Sequence, residues 1–136
     1  MILETYTKQY PSNPELLPEI EEFVIEIARK AGIKEDQLDN LALAVAEASS
    51  NSILHGNKMD KNKKIKITFN IHDDKYEIIF KDEGTGFIVE DVPDPTIPEN
   101  ILKENGRGIH IMNTFLDDLK YNFTDDGTEA ILIIAK

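Results

Sequence analysis

Between Glu15 and Ala31 the apolar positions Leu16, Leu17, Ile20, Phe23, Val24, Ile27, Ala28 and Ala31 recur every three or four residues. That spacing lines one side of a helix. "PSNPEL" ahead of it offers Ser12 or Asn13 as an N-cap, and Gly32 ends it. Upstream, Leu3 to Tyr10 alternates enough to predict a strand. A second helix is predicted from about Lys34 to Leu54, closed by His55-Gly56. "KIKITFNIH" then sets Ile65, Ile67, Phe69 and Ile71 against polar neighbours, turns at Asp73-Asp74 and returns as "YEIIFKD", which is a hairpin. From Gly84 to Gly108 the chain carries three prolines and little periodicity. So long a loop in so small a domain points to function. A third helix is expected from about Ile109 to Asp117. Two strands close the pattern, Leu119 to Phe123 and Thr128 to Ile134, joined by "TDDG". With no repeat, low-complexity tract or linker, residues 1–136 read as one domain. The expected fold is α+β, a two-layer α/β sandwich in which a mostly antiparallel mixed sheet is covered on one face by helices.

The second helix carries an oddity. Placed at 100° intervals with Glu47 at zero, Leu38, Leu41, Ala42, Val45, Ala48, Ser49 and Ser52 fall between about 100° and 220° and form a core stripe. Glu47 and Asn51, four residues apart, fall about 40° from each other on another face, with Leu43 and Leu54 within about 40° of Glu47. Such a pair is either ordinary surface or a polar site set among apolar neighbours, and the helix alone does not decide.

Composition narrows the classes. The absence of cysteine removes disulfides and thiolate metal sites and fits a reducing compartment. The longest apolar run is the six residues Ala130 to Ala135, and "MILETYTKQY" lacks the basic start and apolar core of a signal peptide. A cytoplasmic domain that neither crosses nor binds a membrane is expected. A net charge of −11 opposes binding to nucleic acid, yet leaves room for one anionic nucleotide held by local donors and a metal ion. "NKMDKNKKIK", Asn57 to Lys66, gathers five lysines in ten residues. It reads as a solvated loop and strand edge, or as a docking patch for an acidic partner.

Two further stretches speak to the Glu47–Asn51 question. "DEGTGF", Asp82 to Phe87, follows a strand. Glycines two and four positions after Asp82 let the backbone approach a ligand closely, while the carboxylate is an acceptor suited to the exocyclic amine of adenine. A strand-ending turn uses the same residues. "NGRGIHIM", Asn105 to Met112, leads two glycines into an apolar helix, so free N–H groups and the helix dipole favour an anion there. There is no G-x-x-x-x-G-K-[ST] motif, and Ile occupies position 111 where a dinucleotide fingerprint needs glycine. His55, His72 and His110 lack metal-ligand spacing, and no nucleophile elbow is present.

In this order, "EASSN", "DEGTGF" and "GRGIHIM" resemble the N box and the two glycine boxes of the GHKL, or Bergerat-fold, ATPases. "SNPELL", "NSILHGN" and "GIHIMNTFLDDLKY" narrow the resemblance to the stand-alone anti-sigma-factor serine/threonine kinases, over nearly the whole chain. The resemblance implies that Asn51 binds Mg²⁺ bridging the phosphates of ATP and that Glu47 is the general base for a Ser or Thr hydroxyl on a partner protein. It implies that Asp82 reads the adenine amine, assisted through water by Thr128, with Gly84 and Gly86 against the base. Gly106 and Gly108 would end a lid over the phosphates, with Arg107 or Lys103 as the cation there. The expected partners are a sigma factor or other regulator and an antagonist protein carrying the target serine, with the chain a homodimer. A nucleotide-dependent binding module with little or no kinase activity is the alternative, and Glu47 favours the enzyme over it. A histidine-kinase catalytic fragment is disfavoured, because no segment offers a dimerising helix with a phosphoacceptor His.

Overall fold

The computed structural model describes residues 1–53, 62–83, 116, 118–124 and 127–136. Strand β1 (Ile2–Pro11) leads through a 3₁₀ turn (Pro14–Leu16) into helix α1 (Leu17–Ala31) and helix α2 (Glu35–Asn51). Strands β2 (Lys64–His72), β3 (Lys75–Lys81), β4 (Asp118–Thr124) and β5 (Gly127–Ala135) complete the described elements. Of the two candidate caps it is Asn13 that serves, its side chain accepting from the Glu15 N–H at 3.1 Å. The first turn is 3₁₀, closed by the Leu17 N–H on the Pro14 carbonyl, since Pro18 cannot donate the i→i−4 bond to that carbonyl, and α1 begins at Leu17. Gly32, at φ +100°, ends α1 as expected.

The sheet runs β1-β2-β3-β5-β4. Every pairing among the described strands is antiparallel, a stricter arrangement than the mixed sheet expected. Register aligns the apolar residues in rows: Ile67 with Phe80 and Ala130, Phe69 with Ile78 and Leu132, Ile71 with Tyr76 and Ile134. All nine are buried. One slip in register would turn that face outward, so the alternation itself fixes the pairing. Ile20, Val24, Ile27 and Ala28 of α1 and Leu38, Leu41, Ala44, Val45 and Ala48 of α2 join the same apolar cluster. Helices therefore cover one face. Tyr76 ties the layers, its hydroxyl donating to the Ala31 carbonyl at 3.1 Å and so serving a helix-end acceptor that α1 cannot.

Two expectations change. β2 has a neighbour on each side, so Lys64 and Lys66, exposed on the face that α1 and α2 leave uncovered, do not guard an edge. On that side of the sheet the edge strand among the described residues is β1, because the N-terminal segment adds itself outside the hairpin. The buried arc of α2 is also wider than expected, taking in Ala44 and Asn51 while Ala42 is half-buried. In the wheel it begins near 40°, at Asn51 itself. The predicted end of α2 at Leu54 to Gly56, the loop from Gly84 to Gly108 and the predicted helix from Ile109 to Asp117 lie outside the described residues, apart from Leu116, which is buried.

Candidate functional site

Helix α2 places Glu47 and Asn51 one turn apart. Small side chains at Ala44, Ala48 and Ser49 are buried, and the Ser49 hydroxyl donates back to the Val45 carbonyl at 2.6 Å. That leaves no free hydroxyl to hold the helix off its neighbours. Glu47 is half-buried, while Leu43, one turn before it, is exposed. Asn51 is 5 % exposed, and its Nδ2 has no hydrogen-bond partner among the described residues. The pair thus straddles the boundary of the helix layer, which the wheel did not predict. A buried amide with an unused donor costs roughly 1–3 kcal/mol. Folding alone does not explain Asn51.

In the sheet layer Asp82 follows β3 and Thr128 is the second residue of β5. The β3–β5 ladder ends at Lys81 opposite Glu129. One step further the Asp82 N–H donates to the Thr128 carbonyl at 3.0 Å, and the Thr128 N–H donates to Asp82 Oδ1 at 3.0 Å. This exchange fixes the carboxylate's orientation and stabilises a side chain with no exposure at all. Thr128 is buried as well, and its Oγ1 has no hydrogen-bond partner among the described residues.

Sequence reasoning missed Gly127, which it took for a turn residue. Its φ is +144°, and a Cβ built on it would lie 1.9 Å from the Asp82 carbonyl oxygen and 3.2 Å from Oδ1. Only glycine lets β5 start so close to Asp82. The signal available was the Gly-Thr pair at a strand start, but the partner it approaches lies in another strand.

The structure therefore couples Asp82, Thr128 and Gly127 directly in the sheet and sets Glu47 and Asn51 together on the helix. The two groups share a core: Ala48 and Ile53 flank Asn51, Phe80 leads to Asp82, Ala130 follows Thr128, and all four belong to one apolar cluster. Gly84, Gly86, Lys103, Gly106, Arg107 and Gly108 lie outside the described residues. Among the described residues no group of three or more His, Cys, Asp or Glu could hold a metal ion. No described helix is long and apolar enough to cross a membrane.

The chain is 33 % identical over 116 residues to the serine-protein kinase RsbW of Bacillus licheniformis, covering 81 % of this chain and 72 % of that one. It is 30 % identical over 118 residues to the serine-protein kinase RsbW of Bacillus subtilis, and 28 % over 132 residues to that of Listeria innocua. The latter alignment takes in 93 % of this chain and 83 % of the relative. In three dimensions it resembles the histidine kinase domain of the blue-light activated histidine kinase of Erythrobacter litoralis, with a TM-score of 0.59 at 17 % identity. That match covers 91 % of this chain and 60 % of the other, and speaks for the fold. Residues 10–134 match the model of the histidine kinase-like ATPase domain, and with two helices over an antiparallel sheet the chain belongs to that family.

Proposed function

We propose that this chain is an ATP-dependent protein serine/threonine kinase of the anti-sigma-factor type. It transfers the γ-phosphoryl group of ATP to a serine or threonine of an antagonist protein and sequesters a sigma factor or other regulator. The observation that supports this most is the buried Asn51 amide, whose Nδ2 has no hydrogen-bond partner among the described residues, one turn after a half-buried Glu47. A magnesium-bound phosphate would supply both partners the amide needs, oxygen to cation and N–H to phosphate oxygen. Bound Mg-ATP would supply the transferable phosphoryl group. The chain's own part is positional: Asp82, oriented by the Thr128 N–H, accepts from the adenine amine, and the Thr128 hydroxyl finds a bridging water. Gly84 and Gly86 admit the base, while Gly106, Gly108 and either Arg107 or Lys103 close over the phosphates.

Glu47 is the general base. It accepts the proton of the attacking hydroxyl as the new P–O bond forms and the β–γ bridge breaks, leaving ADP. The cell's cytoplasm is the expected compartment, with a homodimer the expected assembly.

A pure binding module would use the same pocket without needing a base at position 47. Incubating the protein with Mg-ATP and candidate antagonist proteins separates the readings. Phosphoserine that disappears in Glu47→Ala while nucleotide still binds supports the kinase. Equal inertness of wild type and variant toward every candidate supports the binding module.

A further inference from the structure

The sheet face that α1 and α2 leave uncovered carries charges that folding does not call for. Lys66 of β2 and Lys81 of β3 are register partners, and both point away from the core, since Ile67 and Phe80 beside them are buried. Like charges directly opposite each other destabilise a strand pair. Neither lysine has an ion pair among the described residues. Glu129, the register partner of Lys81 on its other side, takes its hydrogen bond from Asn122 Nδ2 at 3.0 Å instead. Two more carboxylates of this face are also engaged. Glu77 accepts from Asn70 Nδ2 at 3.0 Å and lies 3.5 Å from His72 Nε2, while Asp118 pairs with Lys120 at 3.6 Å.

The helix layer is charged the other way, with Glu19, Glu22 and Glu26 exposed along α1 and Asp36 and Asp39 along α2. A chain of net charge −11 thus keeps two adjacent lysines without a counter-charge on its opposite side. Apolar side chains lie next to them. Ile79 and Ile131 are register partners one row along from Lys81 and Glu129, and Ile133 follows on the same face. All three are half-buried, at positions where the open face of an antiparallel sheet ordinarily turns polar side chains to water.

We infer that this face docks an acidic amphipathic helix of a partner protein, with its carboxylates on Lys66 and Lys81 and its apolar side chains on Ile79, Ile131 and Ile133. β2, β3 and β5 each have a strand on both sides, so their backbones are occupied and cannot take an added strand. Side chains alone are on offer. A helix is the element that lays a row of side chains on a sheet face, as α1 and α2 do on the other. Charge complementarity sets the sign of the occupant: carboxylates placed over the lysines relieve the repulsion between Lys66 and Lys81, and a basic or neutral helix would cover two charges without compensating them. The surface uses none of the residues assigned to nucleotide.

Fluorescence anisotropy on the full chain tests it, with a fluorescein-labelled amphipathic peptide of glutamate, leucine and alanine as the probe. Wild type should bind the peptide, less tightly as salt rises, and should bind its glutamine counterpart roughly tenfold or more weakly. Lys66→Glu and Lys81→Glu should each lose roughly tenfold or more in affinity. Both should unfold at the same or a higher urea concentration than wild type, because each turns a like-charge pair into an opposite-charge one. Lys30→Glu, on an exposed position of α1, should bind as wild type does. A wild type that does not bind the peptide overturns the inference. So do lysine variants that bind as tightly as wild type, an equal loss in Lys30→Glu, or tighter binding of a DNA duplex than of the peptide. A lower urea midpoint in both lysine variants assigns the pair to the fold and overturns it as well.

Discussion

Replacing Gly127 with alanine should unfasten the start of β5 from Asp82. The new Cβ would stand 1.9 Å from the Asp82 carbonyl oxygen, where real Cβ contacts under 3.0 Å are essentially never seen. The two segments must therefore separate by about 1 Å or more, which carries both 3.0 Å hydrogen bonds of the Asp82–Thr128 exchange past useful length. A neutral bond contributes about 1 kcal/mol and one to a carboxylate about 1.5–3 kcal/mol. The φ of +144° adds strain of about 1–3 kcal/mol for any L side chain. Allowing for relaxation, the variant should lose about 3 kcal/mol, a large share of the roughly 5–15 kcal/mol that holds a domain folded. Gly32→Ala is the control, since Gly32 has φ +100° but nothing within 4 Å of its built Cβ. It should lose only about 1 kcal/mol, the conformational part. Urea unfolding of both variants measures the difference. If Gly127→Ala comes within about 0.5 kcal/mol of Gly32→Ala, the close approach to Asp82 does not matter and the reasoning fails.

Other expectations follow from single contacts. Thr128→Val removes a buried hydroxyl with no hydrogen-bond partner among the described residues, so unfolding stability should hold or rise slightly while ATP affinity falls about tenfold in a fluorescence titration. Parallel losses of both, or no loss of affinity, would deny Thr128 a part in binding. Tyr76→Phe should lose about 1 kcal/mol in chemical denaturation through the missing bond to Ala31, with α1 amides exchanging faster near its C-terminus. At Glu77, burial raises the carboxyl pKa, but hydrogen bonds from Asn70 and His72 and the charges of His72 and Lys75 outweigh it, leaving it below the ordinary 4.5. A depressed folded pKa means that the stabilisation is full above 4.5 and is lost as pH falls from there through the folded value. Glu77→Gln should flatten the pH dependence of stability in that acid window, and an unchanged acid slope would contradict the assignment.

The five strands and the two described helices were legible because their apolar positions repeat at periods set by the backbone, and the hairpin turn at Asp73-Asp74 lies where the alternation breaks. The site was legible in part. Glu47 and Asn51 drew notice as polar residues in an apolar helix, yet the wheel put both outside the core, whereas α2 packs widely enough to bury Asn51. How far a helix sinks into its neighbours is a tertiary quantity and leaves no mark in its own periodicity. Gly127 failed for a related reason: as a turn residue it is unremarkable, and its need to be glycine arises from Asp82 in a different strand. The edge position of β1 was hidden likewise, since alternation predicts a strand but not its neighbours.

The proposed function requires nucleotide uptake by this chain. Isothermal titration with ATP, with and without Mg²⁺, should give one equivalent bound per chain in a magnesium-dependent manner, with Asn51→Ala abolishing the magnesium dependence. A folded wild-type protein that takes up no ATP under either condition would contradict it.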